Sequence, residues 1–462
     1  MKSLTKIFSV EPMQTTDAKG FSLRQRIEKG GTVVFGGHAF SQVLRLISNL
    51  ILANLLMPEA FGLMAVAVSI NIWAAMLTDI GIQTSVIRSA NSRDPSFLRT
   101  AWTTQFVRNC LIWVLILLAA VGVYALVETG VAPADGVYAH PMLPWIMATI
   151  ALQLPISGLT SMNQSLAARD LFMGRIIALE VATQLIAILT TITLAFIGLG
   201  VWALVFGSLT STVVKTLASH MFFPGVSMRF HFNRKHFDEI FNFGKWLIIA
   251  SLFGFLANRG DQVLFGWLMP TDRFSLYAIA SIWIMGGMGV ISTINNRIVY
   301  AAFSELIRER PKDLQRAYKK TRLVFDAAVT AFVVGIFFLA EPVFDLIYPD
   351  NYSGVGYFIK LMSPVFLLLP YRLISIAVLA GGDSKSFTLV TVVSGLLMLI
   401  LVPLMFSLYG EKAAVICFSC IAISSLPIAW RNGARVMAID SLTEARMLII
   451  TAAYLAVMFV WG

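Results

Sequence analysis

The sequence predicts an all-α integral membrane protein, built as two homologous six-helix bundles with a thirteenth helix at the C-terminus. Three observations predict it. Hydrophobic residues fill 58% of the 462 positions and charged residues only 13%, against about half and about a quarter in soluble domains. Apolar runs long enough to cross a hydrocarbon core of about 30 Å recur almost end to end. The two halves also resemble each other at a nearly constant offset, the mark of a transporter assembled from duplicated bundles.

The first six spans are expected over 31–56, 61–81, 102–127, 141–162, 174–197 and 199–222, and the next six over 243–268, 274–296, 323–347, 354–380, 386–408 and 412–430. The final apolar stretch, 447–461, is short for a span at about 1.5 Å per residue and is counted as the thirteenth helix. This divides the chain into a cytoplasmic tail (1–30), an N-lobe (31–222), a cytoplasmic connector (223–242), a C-lobe (243–430), a cytoplasmic linker (431–446) and the last helix (447–462). The polar stretches are loop-sized and leave no room for a soluble domain.

Charge orients these spans. The tail carries no apolar signal-peptide core, so the first span is expected to be an uncleaved anchor with the N-terminus inside. Of the 35 Lys and Arg, only Arg273 and Lys412 then fall in outer loops, and Arg45, Arg108, Lys215, Arg259, Lys360 and Arg372 lie within spans; the rest are inside. That asymmetry follows the positive-inside rule and accounts for the net charge of +10 without nucleic acid. Cys110, Cys417 and Cys420 all lie in apolar segments, and the CxxC formed by the last two reads as small packing residues, not a metal or redox pair.

Four stretches carry the repeat. LLMPEAFGLMAVA from Leu55 matches WLMPTDRFSLYAIA from Trp267, and DPSFLRTAW from Asp94 matches RPKDLQRAY from Arg310. LAARD from Leu166 matches LAGGD from Leu379, and LGVWALV from Leu199 matches YGEKAAV from Tyr409, with offsets between 210 and 216. An even number of spans per copy gives both the same orientation, with the substrate path expected between them. Pro155 and Pro370, at near-equivalent positions in the fourth and tenth spans, are expected to kink them.

The runs RLISNLILANLLMPEAFGLMAVAVSI with TDIGIQTSVIR, GLGVWALVFGSL and FGKWLIIASLFGFLANRGDQVLFGWL resemble bacterial polysaccharide flippases. These are Wzx-type members of the multidrug, oligosaccharidyl-lipid and polysaccharide exporter superfamily. The resemblance implies a V-shaped pair of bundles with alternating access. It further implies an undecaprenyl-diphosphate-linked oligosaccharide repeat unit as cargo, moved across a bacterial inner membrane for exopolysaccharide or lipopolysaccharide synthesis. Polysaccharide polymerase and assembly proteins are its candidate partners, with membrane lipids around it.

Charges in mid-membrane are costly and usually face a cavity or a partner, and Arg suits phosphate through its forked donors. Arg45 and Arg259, at corresponding depths of the first and seventh spans, are therefore the candidate diphosphate ligands; pairing with a carboxylate such as Asp261 or Asp79 is the structural alternative. Arg108, Lys215 and Arg372 are secondary candidates. With Lys360, they lie near enough to span ends to snorkel to the interface. Asp79, Glu180 and Asp261 are candidates for Na+ or H+ coupling or for counter-ions, and His38 reads as a satisfied helix residue. The basic, aromatic segment from Arg229 reads as an interfacial helix joining the lobes, and the one from Ser304 as a cytoplasmic connecting helix near anionic headgroups.

No catalytic residues, metal site or cofactor are expected, because the outer loops are short and hold no nucleophile with its base, no metal-ligand cluster and no phosphate-cradling loop. The alternatives are a cation-coupled multidrug antiporter, against which the excess of deep cations argues, and a membrane glycosyltransferase or polymerase.

Overall fold

The computed structural model describes residues 23–170, 172–294, 299, 303, 306, 313–380, 384–434 and 441–461. The expected tail up to residue 22, residues 304–305 and 307–312 of the connecting segment from Ser304 and the middle of the 431–446 linker lie outside the described residues. Within them every regular element is a helix, and the one pairing of extended backbone is an isolated antiparallel bridge between Gly136 and Pro270.

The helices are α1 (Leu23–Ala53), α2 (Pro58–Leu77), α3 (Ile82–Arg88), α4 (Pro95–Thr129), α5 (Leu143–Ile150), α6 (Gln153–Gly158), α7 (Asn163–Arg169), α8 (Met173–Phe196) and α9 (Val201–Phe222). After the connector come α10 (Arg234–Leu268), α11 (Thr271–Ile294), α12 (Leu314–Ile347), α13 (Val355–Met362), α14 (Pro364–Leu367), α15 (Arg372–Ala380), α16 (Ser384–Cys420), α17 (Leu426–Gly433) and α18 (Ser441–Trp461). Among the described residues, eight helical stretches are long and apolar enough to cross a membrane, or nine if the bent pair Leu143–Gly158 and Asn163–Arg169 is one span. One of the eight, Leu389–Gly433, has 45 residues, over twice what a bilayer core needs. It is divided at Gly410, whose φ of 78° no regular helix adopts, and the break separates the segments read as two spans. The last helix is longer than its apolar stretch suggested: it runs 21 residues from Ser441, and its first turn carries Glu444.

The chain forms two compact units. The first gathers Met1–Arg45, Ala74–Val121 and Trp145–Ile249, and the second Leu46–Trp73, Gly122–Pro144 and Ala250–Gly462.

In the first unit, Ile80, Ile82, Val86, Phe97, Leu98, Ala101, Trp102, Met162 and Ile240 form one core cluster. Lipid tails are as apolar as these side chains, so close van der Waals fit, not exclusion from water, holds such helices together. Gly207 shows the fit. It brings α9 against α8 so closely that a Cβ there would run into the Thr191 hydroxyl. The turn joining these two helices needs Gly198 and Gly200 at φ 87° and 56°.

The connector differs from the interfacial helix expected of it. Residues 223–233 form a non-helical strap on the first unit, and the helix from Arg234 is already the start of the long α10. Polar contacts hold the strap down: Asn163 Nδ2 donates to the carbonyls of Phe223 (3.2 Å) and Val226 (3.1 Å), while its Oδ1 accepts from the Val226 amide. Arg99 donates to the Ser227 carbonyl, and the His231 and Asn233 amides donate to Thr103 and Thr100. Trp102 and Phe106 pack on Phe230.

In the second unit, the two copies of the LMP motif begin α2 and α11 and pack on each other. Gly62 lies so close to Ser275 that a Cβ would meet its hydroxyl. Allowing for one extra residue in the second copy, these two positions correspond. Asn49 and Trp283 both donate to the Tyr348 hydroxyl (3.1 and 2.8 Å), and Tyr352 donates to the Leu56 carbonyl (2.6 Å). Arg273 grips Glu411, the residue after the Gly410 break, through two guanidinium nitrogens. Lys360 turns inward to a partner: it is 8% exposed, 3.3 Å from Glu341 and 4.5 Å over the Phe337 ring.

Candidate functional site

The site begins at a broken helix. Pro155 sits in α6, and the chain bends by 68° between Leu143–Gly158 and Asn163–Arg169. A break at membrane depth frees backbone carbonyls that lipid cannot satisfy, so protein must. The side chains of α4 and α9 supply the donors. Asn109 Nδ2 reaches the Leu154 carbonyl (3.0 Å), Gln105 Nε2 the Ser157 and Gly158 carbonyls (3.4 and 3.1 Å) and Trp102 Nε1 the Leu159 carbonyl (3.1 Å). From α9, Thr216 Oγ1 donates to the Ile156 carbonyl (3.2 Å). Gly158 lets α6 approach α4 this closely, since a Cβ would press on Phe106 and Asn109. In the second unit, Pro370 occupies a 3-10 turn between α14 and α15, so the tenth span is interrupted as well.

Beside the break lies a cavity of about 600 Å³, entirely within the first unit. Its walls come from α3, α4, the break itself, α8 and α9, and most of its lining side chains are polar: Gln83, Gln105, Asn109, Ser157, Thr160, Gln164, Ser211 and Thr212 among them. Three charged residues line it, Arg108, Glu180 and Lys215.

Arg108 likewise turns inward. Its side chain is 19% exposed, and its Nε donates to Thr78 Oγ1 (3.1 Å) and its Nη2 to the Ala75 carbonyl. The Asp79 carboxylate is 4.0 Å away. Asp79 also accepts from the Gly81 amide (3.0 Å), capping the turn at which Gly81 takes a left-handed φ of 58°. It thus caps a turn within ion-pair distance of Arg108. Glu180 and Lys215 differ: among the described residues neither side chain makes a hydrogen bond or ion pair, although both line the same cavity.

The structure therefore brings Arg108, Lys215, Glu180 and Asp79 to one neighbourhood. The remaining candidates lie elsewhere. Arg45 is an exposed residue of α1 in the first unit, whereas Arg259 is a half-buried residue of α10 in the second. Asp261, 4% exposed, accepts from the Tyr277 hydroxyl (2.6 Å) and from Gln262 Nε2 (3.0 Å), and Gln262 also donates to Ser281. Arg372 is exposed on α15, with Nη1 3.3 Å from Ser292 Oγ.

Two features escaped the sequence reading. The amides Gln105 and Asn109 stand four apart on an apolar helix, hence on one face beside Arg108, and that spacing was a usable signal. The second is a buried ionic cluster in the second unit. Arg322, 0% exposed, lies 3.1 Å from both Asp326 and Glu444, and Arg446 binds Asp326 at 2.7 Å. Tyr318 and Tyr371 hydrogen-bond Glu444, and the Arg322 guanidinium lies 4.2 Å over the Tyr371 ring. Both arginines border polar stretches that composition assigns to the inner face.

Comparison with known proteins agrees with this architecture. A family model described as "Polysaccharide biosynthesis protein" matches residues 51–355. The chain is 23% identical over 419 residues, 85% of its length and 94% of the relative's, to a protein named "Putative O-antigen transporter" from Shigella flexneri. It is 18% identical over 310 residues to "Succinoglycan biosynthesis transport protein ExoT" of Rhizobium meliloti (strain 1021), a match spanning 67% of this chain and 60% of that relative. Its fold is similar to that of "Lipid II flippase MurJ, inward closed conformation", with a TM-score of 0.67 at 12% identity over 92% of this chain and 98% of the other. An inward-facing MATE-family multidrug resistance transporter of the MOP superfamily gives a TM-score of 0.63 at 15% identity, covering 89% of this chain and 96% of the other.

Proposed function

The chain belongs to the polysaccharide biosynthesis protein family, and from that premise we propose that it flips a polyprenyl-diphosphate-linked oligosaccharide from the cytoplasmic to the periplasmic leaflet of a bacterial inner membrane. The motion is alternating access, the N-terminus is cytoplasmic, and the product passes to a polymerase. The observation that carries this reading is the cavity of the first unit. A hydrated, sugar-bearing headgroup needs a polar surface inside an apolar bundle, and a cavity of about 600 Å³ lined mainly by amides, hydroxyls and three charged side chains is such a surface.

Arg45 and Arg259 are proposed to contact the diphosphate during transport, the role that best repays an intramembrane charge. Coupling to Na+ or H+ through Asp79, Glu180 or Asp261 is a further part of the proposal. An organic-cation drug is the less suitable cargo, because Lys215 and Arg108 line the cavity it would enter.

The test is a strain lacking the gene, complemented with wild type, Arg45→Ala or Arg259→Ala. Loss of the protein is expected to trap a lipid-linked oligosaccharide, detectable by mass spectrometry, and to abolish surface polysaccharide. Normal polysaccharide without the protein would overturn the transport reading. Full export by both variants at wild-type protein level would overturn the role of the arginines.

A further inference from the structure

We infer that the cavity of the first unit is a carbohydrate subsite: it holds about one or two sugar rings of the cargo, and not the diphosphate. The inference rests on the transport reading above and narrows it.

The charges decide between the two parts of the cargo. A diphosphate carries at least two negative charges and calls for a surplus of cations, preferably with free forked donors. The cavity lining holds a surplus of only one, Arg108 and Lys215 against Glu180, and Asp79 beside Arg108 offsets it. Two of Arg108's nitrogens are already committed to Thr78 and Ala75, and its charge stands 4.0 Å from Asp79. The remaining lining charges are one ammonium, Lys215, and one carboxylate, Glu180. A diphosphate here would face the Glu180 carboxylate, a like charge that repels it.

The same groups suit sugar hydroxyls, which both donate and accept. The Glu180 carboxylate accepts only and matches two neighbouring hydroxyls; the Lys215 ammonium donates only; Gln83 and Gln164 do both. Among the described residues neither charged side chain makes a hydrogen bond or ion pair, and both line the cavity, which leaves their hydrogen-bonding capacity for a cargo there. Met162 and Ile176 add apolar surface for the C–H face of a ring. A volume of about 600 Å³ falls within the range of ligand sites, roughly 300–1,000 Å³.

The test uses the full chain in lipid nanodiscs, as wild type, Glu180→Gln, Lys215→Met and Gln164→Leu. Each is titrated with two probes: the lipid-linked oligosaccharide extracted from the deletion strain, and undecaprenyl diphosphate without sugar. Thermal unfolding of each variant must match wild type; Gln164→Leu keeps the test alive if a charge variant unfolds. Binding of the glycosylated lipid is expected to weaken at least tenfold in the charge variants, with binding of the sugar-free lipid unchanged within twofold. Equal loss of both probes would overturn the inference in favour of a phosphate site, and no change with either would show that the cargo does not enter the cavity. Wild type that binds neither probe would remove the transport reading itself.

Discussion

The Arg322 guanidinium lies 3.1 Å from the Glu444 carboxylate, with both side chains closed to solvent, and so joins α12 to the C-terminal helix α18. Asp326 and Arg446 complete a cluster of two positive and two negative charges, and the tyrosines around it supply further hydrogen bonds. The guanidinium sits at ion-pair distance without aligned hydrogen bonds to the carboxylates, so charge balance is its main support.

Removing one partner of such a pair leaves an uncompensated buried charge, which costs about 3–5 kcal/mol. Arg322→Met or Glu444→Gln alone is expected to lower the unfolding temperature of the purified protein sharply. The double variant Arg322→Met with Glu444→Leu is expected to be less damaged than either single one. Thermal unfolding of the three proteins in one detergent checks this; equal damage in all three would mean that the pair does not hold α18.

The membrane architecture was legible because the bilayer imposes span length and loop charge on any sequence, and because family and fold agree with it. The cavity was legible only in part. Arg108, Lys215 and Glu180 stood out as charges in spans, yet nothing in their spacing told that three different helices would bring them to one wall. Arg322 and Glu444 were hidden for another reason. They lie at the ends of long polar stretches, where composition favours solvated loops, and only tertiary packing turns that polarity inward. The strap over 223–233 misled in the same way, since aromatics among basic residues suit a membrane surface as well as a bundle.

Close helix contacts give a second prediction. Gly207→Ala is expected to destabilise the protein by about 1–3 kcal/mol through overpacking against Thr191, and Thr191→Ala in the same chain to restore part of the loss. Gly244→Ala offers no such rescue, because its Cβ would strike the backbone carbonyl of Ile80. Unfolding temperatures of the three variants measure the difference.

Asn163 anchors the strap. Asn163→Leu removes its donors and acceptor while keeping its bulk, leaving buried backbone groups unpaired at about 1–3 kcal/mol. Faster cleavage between residues 223 and 233 in limited proteolysis is expected, with cleavage elsewhere unchanged. An identical digestion pattern would show that the strap is held by other contacts.

Gln105→Leu leaves the Ser157 and Gly158 carbonyls without the side-chain donor that caps the broken helix. The expected result is lower stability, again about 1–3 kcal/mol, together with reduced polysaccharide export. Gln105→Glu, which loses the amide donors but stays polar, should fail in the same way. Wild-type unfolding and export from both variants would assign the capping to other groups.

The contact of Gly62 with Ser275 has a consequence of another kind. Any change that enlarges position 62 has to be met by a smaller side chain at position 275, so the crossing of α2 and α11 fixes the sum of two residue volumes and not either one alone.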